Sequence, residues 1–221
     1  MHISNISKGP VAPNSSMPLA FGCSNLWTRR LTLYERALDE ILGFGKQDTS
    51  FISHFYSQGK APKIFSHCLK GDISGGDILI LGEVVEPNMS YTPLILKQPH
   101  CNINLESISV DGHILKIDPT VFTTLINKGA IIDSGTTMAY FIEGAYNPIV
   151  DVITRTIPRF ASTIDSNGFH CNLVTTGALN VMDIFPPISL NFANNASLVL
   201  RPQDYLLLIP RLDGGKWCLT F

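Results

Sequence analysis

The stretch AIIDSGTTMAY, Ala130 to Tyr140, sets one carboxylate between an apolar run and a Ser-Gly-Thr-Thr turn. Ala130, Ile131 and Ile132 read as a buried strand end. Ser134–Gly135 reads as a sharp turn, since glycine tolerates positive φ. Thr136 and Thr137 place hydroxyls just beyond it. Asp133 is therefore expected to be held rigid and partly desolvated, with donors from the Gly135 N–H and Thr136. In such a setting one carboxylate can share a proton with another. An isolated Asp-Ser-Gly is more often a surface turn whose Asp bonds its own backbone. The longer pattern, apolar-apolar-Asp-Ser-Gly-Thr-Thr, argues for chemistry.

The surrounding chain has 221 residues, 45% hydrophobic and 15% charged, enough for one large domain or two small ones with a real core. The formal net charge is -2 and no Lys/Arg run occurs, so no field draws nucleic acid and no nucleic-acid partner is expected. The longest apolar runs, Ile78 to Leu81 and Leu206 to Ile209, are too short to span a membrane. The five cysteines, at 23, 68, 101, 171 and 218, include no C-x-x-C pair, which argues against a zinc or thioredoxin-type site. No two of the six histidines have metal-site spacing, so neither metal nor cofactor is expected. His67 beside Cys68 is sequence adjacency, not a dyad. The glycine-rich Gly71 to Asp77 lacks the Lys-Ser/Thr ending of a phosphate loop and reads as a hairpin turn.

Few segments read as helix. Leu31 to Ile41 has some helical periodicity. Thr49 to Lys60 is clearer: Phe51, Ile52, Phe55 and Tyr56 share a face, Ser50 can cap, and Gly59 can end it. Ile142 to Pro158 is the third, with Pro148 expected in its first turn and a start near Asn147. Strands are expected in GGDILILGEV, YTPLIL, NINLESISVDGHILKI, ISLNF and ASLVLRPQDYLLLI, with Asp111–Gly112 as a two-residue hairpin turn. The chain thus reads as mainly β, without the helix-strand alternation of a parallel sheet. A lobe boundary is placed near Lys97, between two proline-flanked positions.

Asn-x-Ser sequons occur at Asn5, Asn14, Asn88 and Asn195. With widely spaced cysteines they favour a secretory-pathway ancestry. The first twenty residues show no continuous apolar leader, so the chain is expected to begin part-way into a longer precursor.

Seven stretches, in order, resemble the pepsin-like aspartic proteases, in particular the plant branch similar to nepenthesin. They are Phe21 to Asn25, Ile41 to Gly59, Phe65 to Glu83, Tyr91 to Ile95, Ile131 to Tyr140, Phe185 to Leu206, and Trp217 to Phe221. The resemblance implies a bilobal acid-protease fold. Residues 1–97 would be the second half of an N-terminal lobe, and 98–221 most of a C-terminal lobe. It implies aspartic-type endopeptidase activity on peptide or protein substrates, with a water activated between two Asp. Asp133 matches the second catalytic Asp. Ser134, Gly135, Thr136 and Thr137 match the residues that support it and line the cleft. Ile41, Leu42 and Gly43 match the element that braces the first catalytic loop. Cys171 and Cys218 match a disulfide, and the expected location is the secretory pathway, outside the cell or in the vacuole.

The chain also departs from the family pattern. It contains no Asp-Thr-Gly and no second Asp-Ser-Gly. The resemblance implies that the first catalytic loop precedes residue 1, that the brace of the second follows Phe221, and that Cys23 and Cys68 pair with absent cysteines. Glu40 stands where Gly is usual, and Cys101 where an aromatic is usual. The expectation is an aspartic endopeptidase by family that is inactive as this chain alone. It would need the missing lobe segments or a second chain to complete the site. A non-catalytic protein- or glycan-binding relative and a homodimer with one Asp per chain are the alternatives.

Overall fold

The structure is a computed structural model. It describes Pro18, Gly22 and residues 42–70, 76–125, 128–157, 162–166, 168–175, 181–211 and 214–221. The periodic segment at Leu31 to Ile41, with Glu40, lies outside the described residues, as do Cys23, Asn5 and Asn14. The chain divides into two compact units, Met1–Pro87 and Asn88–Phe221.

In the first unit, helix α1 (Phe51–Ser57) forms where the apolar spacing places it. The Ser50 side chain accepts from the Ser53 N–H, which satisfies one free amide of the first turn. Gly59 follows at φ +63, a left-handed residue past the helix end, and its N–H bonds the Tyr56 carbonyl. The buried face is Phe51, Ile52 and Phe55, with Phe44, Ala61 and Leu81 packed against it. Strands β1 (Ser66–Cys68) and β2 (Ile78–Ile80) pair antiparallel, so the expected hairpin exists. Its turn, 71–75, lies outside the described residues.

The second unit holds the larger core. Strands β3 (Asn102–Ile103), β4 (Leu105–Val110) and β5 (His113–Ile114) come first, then β6 (Ala130–Ile131) and helix α2 (Glu143–Thr156). Next come β7 (Ser162–Ser166), β8 (Phe169–Thr175), helix α3 (Val181–Ile184) and β9 (Ile188–Phe192). The chain then runs through β10 (Ser197–Leu200), helix α4 (Pro202–Tyr205), β11 (Leu206–Arg211) and β12 (Gly214–Leu219). Two four-stranded sheets result, ordered β10-β9-β4-β5 and β11-β12-β8-β7, with β3 and β6 forming a two-stranded ladder. Asp111 (φ +50) and Gly112 (φ +75) close the β4–β5 hairpin, with Val110 opposite His113. Two positive φ values in a two-residue loop match the right-handed strand twist. A register shift at Leu105/Ser107 kinks β4 against β9.

Two expectations change. The YTPLIL stretch is not a full strand but an isolated bridge, Leu94 to Ile103, because Pro93 has no amide to donate and Lys97 turns at φ +59. That bridge, with the Ile95 N–H on the Asn102 carbonyl at 2.8 Å, ties 88–97 to the second unit. The two compact units meet between Pro87 and Asn88. Helix α2 starts at Glu143 rather than near Asn147, with Pro148 inside it. Ala145, Ile149 and Ile153 make one continuous buried stripe, which carries the helix through a proline that removes a single bond.

The core gathers Ile108, Val110, Ile149, Ile153, Ile188 and Leu219, all essentially inaccessible. Tyr205 is buried among them, and its hydroxyl donates to the Pro186 carbonyl at 2.7 Å. Cys171 and Cys218, the pair implied by the resemblance, are disulfide-bonded between directly opposed positions of β8 and β12.

Candidate active site

Asp133 leaves the end of β6, where Ala130 pairs with Ile103 and Ile131 with Asn102. The Ile132 N–H bonds the Cys101 carbonyl at 3.1 Å, extending the ladder by one link. The chain then turns through Ser134 and Gly135, and the Thr136 N–H returns to the Asp133 carbonyl at 3.3 Å. The carboxylate is gripped from its own loop. The Gly135 N–H donates to Oδ1 at 2.9 Å, and the Thr136 hydroxyl donates to Oδ2. Both oxygens are therefore fixed by donors, as the sequence predicts. These two bonds, the Thr136 hydroxyl foremost and the Gly135 amide next, hold the Asp133 carboxyl below its ordinary value; His100 adds a smaller pull in the same direction.

Gly135 acts by space rather than by positive φ. A Cβ there would stand 3.3 Å from Asp133 Oδ1, a tight contact that would push the carboxylate by a few tenths of an ångström. Gly129, just before β6, does carry a left-handed φ of +134, and a Cβ would meet Thr124 Oγ1 at 2.6 Å. The sequence reading missed this position; the signal was a glycine immediately before the strand that delivers Asp133.

The expected burial is not found. Ile131 and Ile132 are 48% and 53% exposed, and Asp133 to Thr137 are all exposed. The β6 ladder has β3 on one side, and among the described residues nothing pairs with its other side. Ser134 and Thr137 are exposed, and their hydroxyls make no hydrogen bond among the described residues. At the far end of the loop the Ala139 N–H bonds the Thr220 carbonyl at 3.1 Å, and the Thr220 N–H bonds the Tyr205 carbonyl at 3.0 Å. The segment after β12 thus anchors the loop, a role absent from the sequence reading.

A cleft of 290 Å³ adjoins the strand end, lined by Gln98, Pro99, His100, Asn102, Lys128, Gly129 and Ile131. Asn102 is 4% exposed, and its Oδ1 has no hydrogen-bond partner among the described residues. Cys101 is a free, partly buried thiol, and Cys68 a free, exposed one. In the first unit, Leu42 is exposed and Gly43 has open space where a side chain would stand, while Ile41 lies outside the described residues.

Two family profiles match the chain: "Xylanase inhibitor N-terminal" over residues 2–83 and "Xylanase inhibitor C-terminal" over 102–221. Aspartic proteinase 36 of Arabidopsis thaliana is 34% identical over 202 residues, covering 91% of this chain and 40% of that protein. The chain belongs to the plant pepsin-like aspartic protease family. Nepenthesin-1 of Nepenthes gracilis, also named an aspartic proteinase, is 30% identical over 121 residues, 53% of this chain and 26% of that one. Among solved structures, basic 7S globulin from soybean superposes with a TM-score of 0.62 at 18% identity, over 85% of this chain and 51% of that one. The crystal structure of edgp superposes with a TM-score of 0.64 at 15% identity, over 81% of this chain and 50% of that one. These likenesses establish the fold: mainly β and of the pepsin-like type. The chain spans about two fifths of the length of the first-named aspartic proteinase relative.

Proposed function

We propose that the Asp133 loop is one half of an aspartic-type endopeptidase site, and that this chain by itself hydrolyses little or no peptide. The observation that carries the reading is the double grip on the carboxylate by the Gly135 amide and the Thr136 hydroxyl. It stabilises the ionised form, which suits a general base acting on water. It unsuits the same group for the complementary task of donating a proton to the scissile carbonyl. A second, protonated carboxylate has to supply that step, and the sequence holds no second Asp-Ser-Gly or Asp-Thr-Gly loop. Ser134 and Thr137 would face the partner loop and the peptide. Leu42 and Gly43, with Ile41, would brace a loop supplied by missing lobe segments or a second chain. Residues 1–97 would then be N-terminal-lobe sequence and 98–221 C-terminal-lobe sequence. A secretory route, to the vacuole or outside the cell, accords with the family and with the Cys171–Cys218 disulfide.

The test is hydrolysis of an unstructured peptide by the full 221-residue chain at about pH 4, where a shared-proton carboxylate pair is active. The reading expects background rates, unchanged by Asp133→Ala. Acid hydrolysis that Asp133→Ala abolishes and that climbs with protein concentration would support the homodimer instead. One observation favours a second reading: the matched profiles are described as xylanase inhibitors. On that reading the chain is a non-catalytic protein- or glycan-binding relative. It would bind a glycoside hydrolase or a glycan without cleaving peptide, and Asp133→Ala would leave that binding intact.

A further inference from the structure

We infer that Asn88 and Asn195 are N-glycosylated and that their glycans cover the open edge of the β10-β9-β4-β5 sheet. Both head Asn-x-Ser sequons, Asn88-Met89-Ser90 and Asn195-Ala196-Ser197. Both are exposed and stand in turns at left-handed φ, +67 and +56, and neither side-chain amide makes a hydrogen bond among the described residues. Each nitrogen is therefore presented to solvent.

The fold also brings the two sequons together. Asn194, next to Asn195, donates from Nδ2 to the Tyr91 carbonyl at 3.1 Å, across 103 residues of sequence. The turn at Asn88 and the β9–β10 turn thus lie on one patch of the second unit. Exposed apolar side chains stand beside both turns, Leu198 and Val199 on opposite faces of the edge strand. Met89 and Tyr91 are 46% and 55% exposed, and Leu198 and Val199 of β10 are 47% and 54% exposed. β10 is the edge strand of its sheet, and among the described residues its outer side is unpaired. An apolar edge with free backbone groups invites strand addition from another chain. A bulky, hydrated glycan on each flank obstructs that approach.

The modification is a group transfer from a lipid-diphosphate-linked oligosaccharide. The Asn Nδ2 attacks the anomeric carbon, a C1–N bond forms, the C1–O bond to the diphosphate breaks, and the lipid diphosphate leaves. Nδ2 loses one proton, and nothing is oxidised or reduced. The inference rests on the secretory route proposed above, so the experiment supplies that route.

The full chain is expressed behind a cleavable secretion signal in a eukaryotic host. The purified protein is treated with peptide-N-glycosidase in ¹⁸O water, and sites are read by mass spectrometry as Asn-to-Asp conversion. Conversion at both Asn88 and Asn195 is expected; an unmodified Asn88 or Asn195 in the secreted protein overturns the inference. The shielding is tested with Ser90→Ala/Ser197→Ala, which removes both sequons while keeping Asn in the left-handed turns. The folded wild-type protein trimmed with an endoglycosidase provides a second test that no misfolding of the variant can confound. Size-exclusion chromatography should show a several-fold larger aggregated share in both. Trimmed protein as monomeric as the untrimmed form contradicts the shielding. Secretion of the signal-free chain is scored separately: its absence counts against the native route and not against the two sites.

Discussion

At the scale of single residues, the chemistry of this molecule concentrates in how Asp133 is held. Thr136 contributes most to the stabilised carboxylate and Gly135 next. Thr136→Val removes the hydroxyl with little change of shape. The Asp133 pKa should then rise toward the ordinary value of about 3.9, read by NMR titration of the side-chain carboxyl. The sign follows from the direction of the shift. A carboxyl whose folded value is depressed lends its stabilisation above the unfolded value and loses it as pH falls through the folded one. Order in the 133–136 turn should therefore persist through mild acid in the wild type and decay at higher pH in Thr136→Val. Local polar chemistry of this kind was legible in the sequence, because an Asx-type turn closes within four residues. The exposure of Ile131 and Ile132 was not, since it depends on what packs over β6 and not on the apolar run itself.

At the scale of elements, helix α2 and the strands under it decide the second unit. Ile149 is fully buried on the α2 stripe and belongs to the same core as Ile108 and Ile188. Ile149→Ala should cost about 2–5 kcal/mol, from lost transfer energy and the cavity left behind, measured as a shift of the urea midpoint at constant slope. The stripe was visible as i, i+4 spacing. The helix start is not legible, because Pro148 suits a first turn whereas the buried stripe begins a turn earlier at Ala145. The β4–β5 hairpin was legible because Asp-Gly is one of the few pairs that accept two positive φ values. The short anchor from Ala139 to Thr220 left no trace in the sequence; backbone bonds between distant segments carry no residue signature.

At the scale of the whole chain, the Cys171–Cys218 bond staples β8 to β12 across 47 residues. Closing a loop of that length should stabilise the protein by about 4 kcal/mol on the chain-entropy argument. Cys171→Ala/Cys218→Ala should lower the unfolding midpoint accordingly, and reductant should lower the wild type to a similar level while leaving the variant unmoved. The mainly β fold class followed from alternation and turn residues along the chain, and the family from ordered matches that no single turn supplies. What the fold lacked in sequence signal were its long-range pairings, such as Leu94 with Ile103 and Asn194 with Tyr91, which only a folded chain brings together. One Asp-Ser-Gly loop per chain, its Asp133 carboxylate held ionised, is the central claim, and it has a direct measurement. The Asp133 side-chain carboxyl of the full chain is followed by NMR from neutral to strongly acid pH at two protein concentrations. The account predicts one titration step below the ordinary carboxylate range, the same at both concentrations. Two coupled steps, or one step raised above the ordinary range, would show a second carboxylate sharing the proton and would contradict it.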